Sequence, residues 1–471
     1  MKRRNQRRLR GALASAFGLV ALGLIPLGFG GAEQNATSVF AQTANADEPV
    51  DFKTLYANFG KALSEGRDSK VWSNAEKELK ELTKLETKTR TPQEERAFQE
   101  LQAISSGYAQ LFPDGSKEWR AGKKAGERRV LKINGVEFPF RWCPPGTFTM
   151  GTAPNADTGD FEALREIKRR EDKQHSVRLT KGFWILETEV TQEMWAALSG
   201  GANPSAFSGD SNPVENVSWF DCQAALFGMM LQAPCLTSPR LAEMKLPFFL
   251  FRLPTEAEWE YACRAGTTGL FNGKSGDWRD VAWVGESAAN QVNGWGPMTP
   301  PPPSGYSSGL TSTSPVAQKE ANAWGIYDMH GNVWEWCWDW FGENAYSASG
   351  AGVDPVGPAN GRFRVQRGGS FGGGWNLAHS GARGRAYPAS RNASGSHCGF
   401  RFILTETTPE ESEQWAKRLI GAMQQRQMRE QEFQQAEITR IRGGLGGGTP
   451  VPTYPTPVPM YPTPVPMYPI Y

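Results

Sequence analysis

Gly325-Ile326-Tyr327-Asp328-Met329-His330-Gly331-Asn332-Val333-Trp334-Glu335-Trp336, continued by Cys337-Trp338-Asp339-Trp340, holds four of the chain's 17 tryptophans at every second position. A period of two is that of an extended strand, whose side chains alternate between faces. Four indoles therefore fall on one face, and Val333, Glu335, Cys337 and Asp339 on the other. Such a face is core or groove material. A buried aromatic layer is the first reading and a ligand-facing aromatic wall the alternative.

Outward from this segment, from about Val130 to Leu404, the sequence is rich in Trp, Gly and turn residues. Short apolar runs such as Phe183-Trp184-Ile185-Leu186 and Phe400-Arg401-Phe402-Ile403 recur in it. One large mixed domain over residues 130–404 is the simplest account. Helix starts are visible where Ser218 precedes Asp221 and Thr255 precedes Glu258, each a capping side chain three residues before an acid. A charged stretch, Asp157 to Lys173, and a Pro-rich one, Pro297 to Ser304, read as surface loops.

Residues 47–125 are rich in Lys and Glu and read as a helical hairpin or spacer packing on that domain. Trp72, Ala75, Leu79 and Leu82 would form the apolar face of its first helix. Phe98, Leu101 and Ile104 would form that of a second, opened by Thr91-Pro92-Gln93-Glu94. A further helix is predicted over 408–441, capped at Thr408-Pro409-Glu410-Glu411. Residues 442–471 are a Gly linker and a tail repeating Tyr-Pro-Thr-Pro-Val-Pro-Met, whose alternating prolines favour an extended rod that packs no core.

The 471 residues are 39% hydrophobic and 21% charged, which supports a large core and excludes wholly disordered or collagen-like classes. Net charge is +2, yet residues 1–41 hold six basic residues and one acid, leaving the remainder at −3. That balance argues against a nucleic-acid partner. The same 41 residues, basic and then apolar from Gly11 to Gly30, have the layout of a cleaved signal peptide, with a retained anchor as the alternative. Export is expected, to the periplasm, the cell surface or the medium, with membrane contact only if the leader is retained. Six widely spread cysteines without a CxxC pair exclude zinc-ribbon and thioredoxin-type readings, and an exported chain admits one or two structural disulfides.

Several segments together resemble the formylglycine-generating enzyme family, the sulfatase-modifying-factor domain. They are Cys143-Pro144-Pro145-Gly146-Thr147-Phe148-Thr149-Met150-Gly151, Glu187-Thr188-Glu189-Val190-Thr191, Asn212-Pro213-Val214-Glu215-Asn216-Val217-Ser218-Trp219 and Arg252-Leu253-Pro254-Thr255-Glu256-Ala257-Glu258-Trp259-Glu260. The opening segment quoted above, Arg367-Gly368-Gly369-Ser370 and Gly399-Phe400-Arg401 complete the set in the family's order. The resemblance implies an α+β fold related to C-type lectins and poor in regular structure, here with N- and C-terminal helical appendages. It also implies a structural calcium ion held by Asp328, Gly331, Val333 and Glu335, two hard carboxylates and two backbone oxygens. The competing reading is that Glu335 pairs with an arginine inside the fold.

In enzymes of this family a cysteine pair just past the Gly-Gly-Ser segment binds copper and supports oxygen-dependent conversion of a substrate cysteine to formylglycine. Soft thiolates suit Cu(I). Here Gly372-Gly373-Gly374-Trp375-Asn376-Leu377-Ala378-His379-Ser380 contains no cysteine, so copper is not expected and the chain leans away from being an enzyme. The expectation is a binding or accessory domain for a protein or glycan partner; the alternative is an oxidoreductase making formylglycine in sulfatase-like proteins. Ser370, Trp375, His379 and Arg383 are the candidate lining of a ligand groove, although a Ser in a Gly-rich turn is equally explained by local backbone bonds. By the same resemblance, a Cys222 to Cys398 disulfide is expected. Gly368-Gly369-Ser370-Phe371-Gly372 formally matches a hydrolase nucleophile elbow, but no Asp follows it to complete a triad. The four histidines lack metal-ligand spacing.

Overall fold

A computed structural model describes residues 57, 60–64, 74, 92–112, 117–153, 174–232, 241, 244, 246–285, 312–343, 345, 352–393 and 396–443. The leader, the first helix of the expected hairpin, the charged and Pro-rich loops, Cys235 and the Pro-rich tail lie outside the described residues. Two compact units divide at Glu413, within the last helix; apart from that helix, the elements below belong to the unit ending there.

After a helical stretch at residues 60–64 come α1 (Pro92–Leu111) and α2 (Lys117–Arg120). In α1 the expected face is buried at Phe98, Leu101 and Ile104. Strands β1 (Arg128–Ile133) and β2 (Val136–Cys143) form a hairpin turned at Asn134-Gly135, both at positive φ, as a tight two-residue turn demands. Next come β3 (Gly146–Met150), β4 (His175–Leu179) and β5 (Phe183–Leu186), then helices α3 (Gln192–Ser199) and α4 (Trp219–Gln232). Strand β6 (Phe248–Arg252) leads into α5 (Glu256–Arg264), α6 (Trp278–Val281) and β7 (Ala282–Trp283). The tryptophan segment supplies β8 (His330–Gly331) and β9 (Trp334–Trp340). It is followed by β10 (Arg364–Arg367), β11 (Gly384–Ala386), β12 (Asn392–Ala393), β13 (Ser396–Gly399), β14 (Ile403–Thr407) and α7 (Pro409–Gly443).

The expected caps form. Ser218 and Asp221 bond each other's backbone N–H at 2.9 and 3.1 Å, and Thr255 and Glu258 close a full capping box at α5. Thr408 and Glu411 do the same at the start of α7.

Two five-stranded sheets organise the domain, ordered β1-β2-β5-β14-β6 and β11-β10-β9-β13-β12, with two small pairs, β3-β4 and β7-β8. The first is antiparallel throughout; in the second, β13 runs parallel to β9. Helices α1 and α2 pack on the first sheet, where Phe112 meets Phe249 at 5.0 Å and Trp119 meets Trp184 at 5.0 Å. Strand β9 is central in the second sheet and all seven of its residues are buried. The four indoles are therefore core, and the ligand-facing wall is not formed. Their N–H groups need partners in a dry interior: Trp336 donates to Val217 O at 2.8 Å, and Trp219, tilted against Trp338, to Cys337 O at 3.0 Å. A buried Arg364 lies between Trp219 and Trp340, 3.8 and 3.6 Å from their ring centres. Burial pulls its pKa down to about 9 despite the nearby Asp339.

Candidate functional site

The turn into β9 is built from backbone that ordinary residues avoid. Asp328 and Asn332 have φ of 57° and 58°, and Gly331 has φ of 86° with a Cβ position only 1.8 Å from Trp283 O, so no side chain fits there. This geometry turns Asp328 inward, where its carboxyl is almost wholly buried. Oδ2 accepts the Ala317 N–H at 2.7 Å, while Oδ1 meets no donor; the Trp283 indole lies close by without closing a hydrogen bond. Burial pushes the Asp328 pKa up to about 6.

Glu335 is also fully buried and is engaged by Arg401. Nε donates to Oε2 and Nη2 to Oε1, both at 2.7 Å, and Trp259 Nε1 adds a 2.7 Å bond to Oε2. The competing reading of Glu335 is thus realised, and its carboxylate is part of an ion pair. A third carboxylate, Glu189, was missed by the sequence reasoning. It accepts Asn332 Nδ2 at 2.7 Å and the Val333 N–H at 3.1 Å, and burial, then Asp328 and Glu335, raise its pKa well above the usual range. Burial alone would lower the Arg401 pKa, but Glu335 and its neighbours outweigh it and raise it.

Three buried carboxylates thus share one guanidinium. Among the described residues no three Asp, Glu, His or Cys side chains converge on a metal position, so a calcium ion here would draw on backbone oxygens, as the expected set does. That set fits in two respects: Asp328 Oδ1 lacks a donor, and Glu335 Oε1 accepts the single bond from Arg401 and keeps a lone pair.

The second candidate region follows the Gly-Gly-Ser turn. Gly369, at φ of 77°, lies against Ala378, and Trp375 is half-buried beside Ala282, Val284 and Ala378. Ser370 and His379 are buried. The Arg383 guanidinium clasps Glu256 at 2.6 and 2.8 Å and donates to Gly342 O. Of the four residues expected to line one groove, Ser370, His379 and Arg383 are buried, and a buried carboxylate on α5 claims the arginine.

Beneath the turn lies a buried polar cluster that the sequence did not suggest. His330 Nδ1 sits 2.6 Å from Ala378 O, and its Nε2 is 3.4 Å from the Asn272 N–H and 3.8 Å from Cys263 Sγ. Cys263 also reaches Ser380 Oγ at 3.6 Å. Burial holds both groups neutral, lowering His330 to about 4 and raising Cys263 to about 11. A neutral thiol without a second cysteine in this cluster does not fit Cu(I), which asks for a thiolate pair. The expected Cys222 to Cys398 disulfide is not formed: both side chains are buried thiols, near enough for Cys398 to help burial raise the Cys222 pKa.

The profile of the sulfatase-modifying factor enzyme 1-like domain matches residues 140–406, more than half of the chain. The chain belongs to this family. It is 31% identical over 239 residues to the chaperone protein LppX of Paenibacillus barcinonensis, an alignment covering 45% of this chain and 76% of that protein. It is 39% identical over 161 residues to the formylglycine-generating enzyme of Streptomyces coelicolor, covering 32% of this chain and 45% of the enzyme. For the formylglycine-generating enzyme of Bos taurus the identity is 34% over 252 residues, 52% of this chain and 56% of the enzyme. The chain thus spans about half the length of these two enzymes. Among solved structures it resembles Treponema denticola variable protein 1 at 27% identity and TM-score 0.43, covering 59% of this chain and 99% of that one. PvdO from Pseudomonas aeruginosa follows at 23% and 0.45, covering 61% and 100%.

Within the sulfatase-modifying-factor domain, the quoted motifs converge on the interior. Glu187 meets Arg128 and Arg141 at 2.8 Å, and Glu258 meets Arg252 at 2.7 Å. Glu260 pairs with Arg264 at 2.8 Å and with Arg367, and it accepts the Gly151 N–H at 2.8 Å. A signal for Glu189 did exist in Glu187-Thr188-Glu189. Two acids directly after the apolar strand β5 follow it into the interior, where a buried carboxylate requires a partner.

Proposed function

We propose that this chain is an accessory, binding member of the sulfatase-modifying-factor family that does not carry out the copper-dependent oxidation of cysteine. The observation that carries the reading is the composition and packing of Gly372 to Ser380. The stretch lacks thiols, and the cysteine that touches it, Cys263, is buried and keeps its proton. Cu(I) chemistry needs a pair of ionised thiolates open to substrate. The likeness to a chaperone protein across 76% of that protein's length also favours a non-oxidative role.

The reading includes export directed by residues 1–41, which sequencing of the mature N-terminus would test. It also includes a structural calcium ion held by Asp328 and Glu335 with the Gly331 and Val333 carbonyls. Calcium would supply the positive charge that the three carboxylates lack. Purified full-length protein given copper, oxygen and a Cys-x-Pro-x-Arg peptide should yield no aldehyde by mass spectrometry. Stoichiometric formylglycine would overturn the proposal in favour of the oxidoreductase.

A further inference from the structure

Just past α3, Gly200 takes φ of 59° and Gly201 leads into residues 202–208, a stretch closed by Gly209 in which no residue is fully buried. Side chains, not a strand ladder, hold its backbone. Gln192 Nε2 donates to Phe207 O at 2.7 Å, while Trp195 Nε1 and Asn216 Nδ2 reach Ala202 O and Pro204 O at 3.4 Å each. Glu215, wholly buried, accepts on Oε1 the N–H of Ala206 and, at 3.1 Å, that of Phe207. Beyond Gly209 the backbone is anchored to backbone, with the Gln192 N–H on Asn212 O at 3.0 Å and the Val316 N–H on Ser211 O at 2.9 Å. The loosely held part is therefore short and has glycines at both ends.

The same carboxylate also faces His397. Its Oε2 lies 3.1 Å from His397 Nδ1, which must donate, since the carboxylate accepts on both oxygens. Phe207, the one aromatic residue of the stretch, lies 5.2 Å from the His397 ring and 5.4 Å from Phe371, and His397 lies 4.7 Å from Phe371. Three rings thus close on one another. Phe371 opens the turn over residues 372–380 and is buried, while the His397 side chain stays 13% exposed.

A segment with one inserted ring and no backbone ladder can leave its seat without unfolding the sheets beneath it. Lifting it breaks two charge-assisted bonds to Glu215, one bond to Gln192 and two long contacts that are weak at 3.4 Å. Glu215 keeps His397 as a partner throughout, so no buried charge is orphaned.

We propose that residues 202–208 are a lid, hinged at Gly200-Gly201 and at Gly209, whose Phe207 plugs the His397–Phe371 pair and whose opening uncovers that imidazole beside the Gly-rich turn. Glu215 is its clasp, holding the lid with one oxygen and orienting His397 with the other. The gating holds whether the turn binds a partner or carries chemistry, so its failure would leave the accessory reading untouched.

The test joins hydrogen exchange with carbethoxylation by diethyl pyrocarbonate, both read residue by residue on the full chain. In the wild-type protein the Ala206 and Phe207 amides should exchange far faster than those of β9, at a rate that mild denaturant leaves unchanged, as local opening requires. Glu215→Gln should speed their exchange about tenfold, the weight of one charge-assisted hydrogen bond. Phe207→Ala should raise labelling of His397 about tenfold, from the loss of one part-buried phenyl ring, and it decides alone if Glu215→Gln does not fold. His330, buried in the core, should stay unlabelled in every variant. The proposal fails if Ala206 and Phe207 exchange only as fast as β9, or if Phe207→Ala labels His397 at the wild-type rate. Labelling of His330 together with His397 also sinks it, because that is unfolding and not a lid.

Discussion

Replacing Arg401 with methionine should be among the most destabilising single changes in the domain. Its guanidinium is wholly buried, makes two 2.7 Å bonds to Glu335, and donates to the carbonyls of Tyr327, Asp328 and Leu186 at 3.0 to 3.3 Å. Methionine fills much of the same volume but leaves Glu335, Glu189 and Asp328 buried without the cation they share. Removing one partner of a buried pair costs about 3–5 kcal/mol, because the orphaned charge keeps its desolvation penalty. For a domain of this size that is a fall of roughly 10 °C in melting temperature. Chemical denaturation at neutral pH, in EGTA to exclude a compensating ion, measures it. Arg401→Met combined with Glu335→Gln should cost less than the sum of the two single changes, by about 1–3 kcal/mol, since the double variant removes both charges of the pair. A single variant within 1 kcal/mol of wild type, or additive behaviour in the cycle, would refute the view that Arg401 neutralises this cluster.

Two further outcomes are expected. Asp339 is buried, and that burial, followed by Glu256, pushes its pKa up to about 7 from the usual 3.8. The folded protein therefore holds a proton that the unfolded chain releases near pH 4. Its contribution to stability is present below that pH and disappears as pH rises to 7, by roughly 4 kcal/mol at 1.36 kcal/mol per pKa unit; Asp339→Asn should remove this part of the slope, and an identical pH profile for the variant would count against it. Calcium at about 100 times its dissociation constant should stabilise the wild-type fold by roughly 2.7 kcal/mol. Glu335→Gln should lose most of that gain, and a calcium-loaded protein whose melting curve ignores EGTA would remove the ion from the proposal.

Local grammar was legible in the sequence. The Ser218–Asp221, Thr255–Glu258 and Thr408–Glu411 caps, the apolar face of α1 and the extended tryptophan segment all depend on residues within a few positions of one another. Long-range choices were not. Period two in β9 separates two faces without saying that both are dry; β10 and β13 pair its edges, while Trp219 of α4 and Trp259 of α5 come from distant parts of the chain to pack on it. Arg383 looked like a groove residue because it follows the Gly-rich turn, yet its partner Glu256 lies 127 positions upstream. Glu189 meets Val333 across 144 positions. The Cys222 to Cys398 pairing rested on resemblance, and no spacing rule specifies side-chain direction to within a bond length.

The residues by which this domain is recognised have a bearing on what recognition can mean. Trp259 and Arg401 both close on Glu335, Glu258 closes on Arg252, Glu260 on Arg264, and Gly331 is excluded from bearing any side chain by Trp283 O. Each of these motif positions closes on another residue of the fold, two of which, Arg264 and Trp283, lie outside the motifs themselves. Selection to keep the scaffold is therefore enough to keep the signature, while the turn at Gly372 to Ser380 is free to change its chemistry without leaving a trace in it. Chains gathered by these motifs share an interior, and sorting them by activity has to start from that turn.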